Sequence, residues 1–153
     1  MWTVTKLFML RLAQDLIQAA AGPLPGPLNN VWMGLYQSPT VPINPDSTLV
    51  NITEATYDGY SRQKVVWFPP WVSVGGPEIL AAQDLWYSPT DALVANVITG
   101  VFLADAFYGG NLLMAAVLPV PGRVLGSPSD AMKVQAQFQL PFLQIYGKPD
   151  TLE

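Results

Sequence analysis

Glu54 and Asp58 stand four residues apart within NITEATYDGYSRQKVVWF, residues 51–68. Two carboxyl groups at a fixed separation can hydrolyse a glycosidic bond, one as acid and the other as base or nucleophile. That chemistry also needs a sugar cleft, and the stretch offers a simpler use, because Asp58-Gly59 makes a tight turn into the strand that follows. The turn is the preferred reading. Asp84, Asp91 and Asp105 each stand alone beside apolar neighbours and read as strand-end or turn residues.

The chain has no Cys and no His. This removes a Cys nucleophile, an imidazole base, a Ser-His-Asp triad and a zinc site of the usual ligands. It also rules out a disulfide framework, so stability must come from packing. Calcium needs only carboxylates and carbonyls, but NPDST and SPSD lack the acidic spacing that wraps an ion. No metal, no cofactor and no catalytic residue is therefore expected. VGGP and YGGN lack the Lys-Ser/Thr continuation of a phosphate loop, and NIT at Asn51 matters as a glycosylation acceptor only on a eukaryotic secretory route.

Trp32, Tyr36, Tyr57, Tyr60, Trp67, Phe68, Trp71, Trp86 and Tyr87 form the aromatic set. Such residues stack sugars or bases, fill strand interiors, or build protein–protein seams. Core packing is the commoner use, WFPPW is the segment expected to be exposed, and an open cleft lined by Trp71 and Tyr87 would favour sugar binding.

The elements that must position these groups follow from periodicity. Between Met9 and Ala20, Arg11, Gln14, Asp15 and Gln18 mark one helical face and Leu12, Ala13, Leu16, Ile17 and Ala20 the rest, predicting an amphipathic helix that Gly22-Pro23 stops. GPLPGPLNN is a stiff connector. After Asn30 the period changes to two. VWMGLYQ carries large side chains on both faces, as a strand buried on two sides does. SPTVPINPDS, with its prolines, reads as a long loop. YSRQKVVWF predicts a strand with Tyr60, Arg62, Lys64, Val66 and Phe68 on one face, wet at its start and buried at its end. LAAQDLWY, ANVITGVFLAD and NLLMAAVL are further strands, the last after a turn at Gly109-Gly110. Met132 to Leu140 alternates most cleanly of all.

Short strands between turn signals, with 15 Pro and 12 Gly, predict a mainly β chain: a single β-sandwich or barrel-like domain over 28–146. An N-terminal amphipathic helix and connector fill 1–27, and 147–153 form a tail. At 153 residues, one domain with a sizeable core is expected.

Half of the residues are hydrophobic and 12% are charged, about half the share usual for a globular domain. Much of the surface is therefore expected to be covered by a partner. No segment offers the roughly 18 apolar residues of a membrane span. In WTVTKLFMLRLAQDLIQAAAG, Lys6, Arg11 and Asp15 interrupt the run; a signal peptide is the rival reading there, and the central charges argue against it. The net charge of −4, with basic residues scattered, speaks against nucleic acid.

VWMGLYQSPTVPINPDSTLVNITEATYDGYSRQKVVW resembles a group of small phage structural proteins that share an opening strand, an Asn/Pro-rich loop, the pattern adfTEAtf.GYa and a strand. Thr53, Glu54, Ala55, Thr56, Gly59 and Tyr60 fill that pattern. SPTDALVANVITGVFLADAFYGGNLLMAAVL resembles a later segment of the same group through Pro89, Thr90, Gly100, Asp105, Gly110, Leu112 and Leu113. The resemblance implies a virion component assembled in the host cytoplasm, with Glu54, Gly59 and Tyr60 as structural rather than catalytic residues. The leading expectation is a non-enzymatic capsid cement or decoration subunit that contacts other virion proteins, chiefly the major capsid protein. It is expected to be a homo-oligomer, a trimer or dimer, with Leu12, Leu16, Trp32 and Trp71 at the contacts. Residues 1–27 are expected to dock on a neighbouring chain. The alternative is a tail or adsorption module that binds host carbohydrate through exposed aromatics.

Overall fold

A computed structural model describes residues 2–5, 30–39, 43–66 and 79–139. In chain order its strands are β1 (Trp2–Val4), β2 (Trp32–Pro39), β3 (Ile52–Glu54), β4 (Gln63–Lys64), β5 (Ile79–Ala81) and β6 (Leu85–Tyr87). They continue with β7 (Asn96–Ile98), β8 (Gly100–Ala104), β9 (Leu112–Val117), β10 (Arg123–Leu125), β11 (Met132–Val134) and β12 (Gln137–Gln139). A 3-10 turn covers Leu49–Asn51, and no α-helix occurs among the described residues. The protein is mainly β, as its period-two segments predict.

The chain divides into two compact units. The first, Met1–Lys64 with Trp86–Met132, holds an antiparallel sheet ordered β1-β9-β8-β2-β3, with β4 also paired to β2. β2 is its centre because VWMGLYQ has apolar groups on both faces: Val31, Met33, Leu35 and Tyr36 are all fully buried. β8 runs along one edge of β2, from Trp32↔Ala104 to Tyr36↔Gly100. β4 and β3 share its other edge, β4 opposite Trp32 and Met33, β3 opposite Tyr36 to Pro39. A core cluster of Tyr36, Ile52, Phe102, Ala104, Leu112 and Ala115 forms here, with Ile43 and Leu49 packed against it. Burying each large side chain of this kind stabilises the fold by about 1.5–3 kcal/mol.

The second unit, Val65–Leu85 with Lys133–Glu153, contains the β5–β12 ladder, in which Leu80 faces Phe138. The Ala82 N–H donates to the Ala136 carbonyl at 2.9 Å, and an exposed Lys133–Asp84 ion pair of 3.3 Å joins the same two segments.

Several predicted strands are shorter or broken. ANVITGVFLAD is interrupted at Thr99, whose N–H donates to the Tyr36 carbonyl and whose hydroxyl donates to the Gln37 carbonyl. LAAQDLWY divides into β5 and β6, and the Met132–Leu140 run into β11 and β12. Of the strand predicted over 60–68, residues 60–66 are described, and in them the strand is β4 alone. β2 continues through Ser38 to Pro39, two residues into the predicted loop; a register shift between Tyr36 and Ser38 and the position of Pro39 at the strand's end accommodate the missing donor.

The first residues also depart from expectation. β1 pairs antiparallel with β9, Trp2 opposite Ala116, and the Thr5 N–H donates to the Leu113 carbonyl at 2.8 Å. Residues 2–5 thus extend the sheet of their own unit. The helix predicted over Met9–Ala20, with Leu12 and Leu16, lies outside the described residues, as do WFPPW with Trp71 and the tail.

Candidate functional site

β3 and β4 leave a gap on one edge of β2, and the chain between them, residues 55–62, carries all but the first two residues of the TEATYDGY stretch (53–60). The Ala55 N–H donates to the Leu35 carbonyl at 2.9 Å, continuing the ladder one step past β3. The Tyr60 hydroxyl then takes the place of the next strand partner, accepting from the Leu35 N–H at 3.0 Å and donating to Glu54 Oε1 at 2.7 Å. A phenol thus completes a backbone ladder. Gly34 makes room for it, because a Cβ there would stand 2.7 Å from the Tyr60 oxygen and within 2.5 Å of a Phe102 ring carbon.

Arg62 closes the arrangement. Its Nε donates to Glu54 Oε1 at 2.9 Å and its Nη2 to Glu54 Oε2 at 2.8 Å, a two-pronged pair. Its Nη1 donates to the carbonyls of Ala106 and Gly109, both at 2.8 Å, in the β8–β9 connection. The guanidinium carbon lies 5.1 Å from the Phe102 ring centre. One side chain therefore ties β3, the 55–62 loop and the 105–111 loop together. Burial alone would lower the Arg62 pKa, but the hydrogen bonds and charge of Glu54 outweigh it and hold it above the usual value.

The sequence pattern put Arg62 near the wet end of a strand. The structure buries it, because Glu54, eight residues earlier, neutralises it, and the burial pattern of 61–66 no longer alternates. The backbone of the loop is pinned separately. Asn96 Oδ1 accepts from the N–H groups of Thr56 at 2.6 Å and Tyr57 at 3.0 Å, and the Thr90 N–H donates to the Asp58 carbonyl at 2.9 Å.

Gly59 has φ +83°, and a Cβ there would run into the Thr90 side chain, so the turn reading of Asp58-Gly59 matches the structure. The turn at Gly109-Gly110 matches too, with φ of +58° and +79°.

Tyr57, Tyr60 and Tyr87 form a cluster: Tyr57 meets Tyr60 edge-on at 5.4 Å, and Tyr60 stacks on Tyr87 at 6.3 Å. Burial pushes Tyr57 up to about 12. Burial, reinforced by Glu54, raises Tyr60 further, and burial followed by the neighbouring Tyr57 raises Tyr87. All three are neutral phenols at ordinary pH. Tyr87 is 2% exposed and donates to the Met33 carbonyl at 2.6 Å, so it cannot line an open cleft. Trp32 is half-buried against Phe107, with ring centres 4.9 Å apart.

Glu54 and Asp58 do not form an acid–base pair across a cleft. Glu54 is engaged by Arg62 and Tyr60, and Asp58 faces Asp91 instead. Sequence reasoning missed Arg62 as the centre of the network, and it missed the Asp58–Asp91 encounter, since 33 positions of chain separate the two acids. A cleft of about 230 Å³ lies elsewhere in the first unit, between Thr5, residues 45–48 and 110–112. Its Ser47 hydroxyl accepts from the Asn44 N–H at 2.9 Å, and Asp46 is the one carboxylate on its wall. Among the described residues no cluster of three or more acidic, His or Cys side chains is placed to hold a metal.

No protein-family model matches the chain, and no significant match occurs among curated proteins.

Proposed function

We propose that the chain is a non-enzymatic structural component of a tailed-phage particle, a capsid cement or decoration subunit held by contacts with other virion proteins, chiefly the major capsid protein. The observation that carries this reading is the use made of Glu54, Gly59 and Tyr60, the residues that bear the resemblance to phage structural proteins. Glu54 and Tyr60 direct their polar groups into the Arg62 network and the β2 ladder, and Gly59 makes the turn between them. Residues spent on holding a loop are what a binding scaffold needs and what an active site does not.

The exposed surface supports contact with a partner. Val97 and Val124 face each other across the β7–β10 ladder and are 48% and 58% exposed, and Trp86 is 60% exposed. An apolar surface of this kind suits a protein interface. A single β-sandwich or barrel-like domain with an N-terminal helix or arm, a dimeric or trimeric state and residence in the virion belong to the same proposal.

Cross-linking of intact particles followed by peptide mapping tests it. Cross-links from residues 93–97 or 120–124 to the capsid protein are the expected result, and cross-links to tail proteins alone would overturn the capsid assignment. The exposed rings of Trp86 and Tyr108 favour a second reading, a carbohydrate-binding adsorption module. Retention of the free protein on host glycans, abolished by Trp86→Ala, would establish that reading instead.

A further inference from the structure

Asp58 and Asp91 bring two carboxyl groups together across two turns of the first unit. The Asp58 main chain is fixed there by the Thr90 N–H at 2.9 Å, and Gly59 packs on the Thr90 side chain. Asp58 Oδ2 is buried and meets no N–H or O–H donor. Its neighbour is the Asp91 side chain, whose Oδ1 accepts from the Leu93 N–H at 2.9 Å.

Among the described residues no cation meets this pair. The 57–60 turn offers Tyr57 and Tyr60, phenols that ionise only far into the alkaline range, and β7 offers the neutral Asn96. Along the same stretch Glu54 and Arg62 neutralise one another. A buried acceptor beside a second carboxyl, with no other donor, is satisfied when one of the two acids carries a proton.

We propose that Asp58 and Asp91 share one proton and act as an acid-closed latch between the 57–60 and 88–93 turns. With the proton in place, one acid donates to the other. When both ionise, two like charges face each other and Oδ2 loses its donor. The hydrogen bond with Asp91, followed by burial and the Asp91 charge, raises the Asp58 pKa above the usual carboxylate value. The folded chain therefore binds more protons than the unfolded chain above about pH 4, so the latch's contribution falls as pH rises through the raised pKa.

The test compares thermal melts of the full chain and its Asp91→Asn and Asp58→Asn variants between pH 4 and 8. Asp91→Asn keeps an acceptor for the Leu93 N–H and supplies a donor without a charge. Its Tm is expected to exceed the wild-type Tm by about 2 °C or more at pH 7, with the gap closing toward pH 4. Parallel profiles across the range would overturn the latch, as would a variant that melts lower at every pH. Stabilisation of the wild type by millimolar Ca²⁺ at pH 7, lost in Asp58→Asn, would also overturn it by placing a cation between the carboxylates. Should the variants fail to fold, 13C titration of the wild-type Asp carboxyls decides: two coupled steps, one above the ordinary range, support the shared proton, and independent ordinary titrations refute it.

Discussion

Replacing Arg62 by Met keeps most of the side-chain stem and removes the charge, and with it four hydrogen bonds: two to Glu54 and one each to the carbonyls of Ala106 and Gly109. The Arg62 side chain is 6% exposed and that of Glu54 32%. Removing one member of a fully buried ion pair costs about 3–5 kcal/mol. Glu54 keeps some water and the Tyr60 hydroxyl, so the lower end, about 3 kcal/mol, applies here. At about 2–4 °C per kcal/mol for a chain of this size, Arg62→Met should lower Tm by roughly 6–12 °C. Glu54→Gln strands the buried guanidinium and should cost a similar amount. The double variant should cost less than the sum of the two, with a coupling of about 1–3 kcal/mol. Urea and thermal unfolding of the four proteins measure all of this. A Tm within 2 °C of wild type for Arg62→Met, or additive single effects, would refute the claim that this pair holds the loops.

The tyrosine cluster makes a prediction at high pH. Unfolded phenols ionise near pH 10, whereas Tyr57 holds its proton to about 12 and Tyr60 and Tyr87 beyond it, so stability should fall steadily above about pH 10. Tyrosinate absorbance from these three should appear together with unfolding rather than before it. Gly59→Val forces a β-branched side chain into φ +83° against Thr90 and should cost about 1–3 kcal/mol or more, whereas Gly109→Ala, with open space around its Cβ, should cost about 1 kcal/mol. Equal melting temperatures for the two variants would contradict the turn geometry. Deleting residues 1–5 uncovers the β9 edge and should lower Tm while leaving the chain folded; an unchanged Tm would mean that β1 contributes nothing to the sheet.

The sequence made β2, β8 and β9 legible because their apolar groups lie on both faces, so each reads as a short, nearly continuous apolar run bounded by turn residues. The turns at Gly59 and Gly109-Gly110 were legible because positive φ is a local property of the chain. Arg62 was not, because a charge reads as wet unless its partner is known. That partner arrives through β3 and β4 sharing one edge of β2. The breaks at Thr99 and Ala136 were hidden for a similar reason, since local composition cannot tell one long strand from two short ones paired to different neighbours. The Asp58–Asp91 encounter is a product of topology alone. Trp2 to Val4 read as the start of an apolar arm because nothing local distinguishes an edge strand from a docking segment.

The role proposed for this chain is that of a built-in part of a phage particle that works through contact rather than catalysis. Quantifying it in gradient-purified particles, for wild type and for a Val97→Lys/Val124→Lys double variant, tests that claim most directly. The account predicts a fixed number of wild-type copies per capsid protein and a marked loss of the double variant from particles, although the variant remains folded in the lysate. A wild-type chain that stays in the soluble fraction and is absent from purified particles would contradict it.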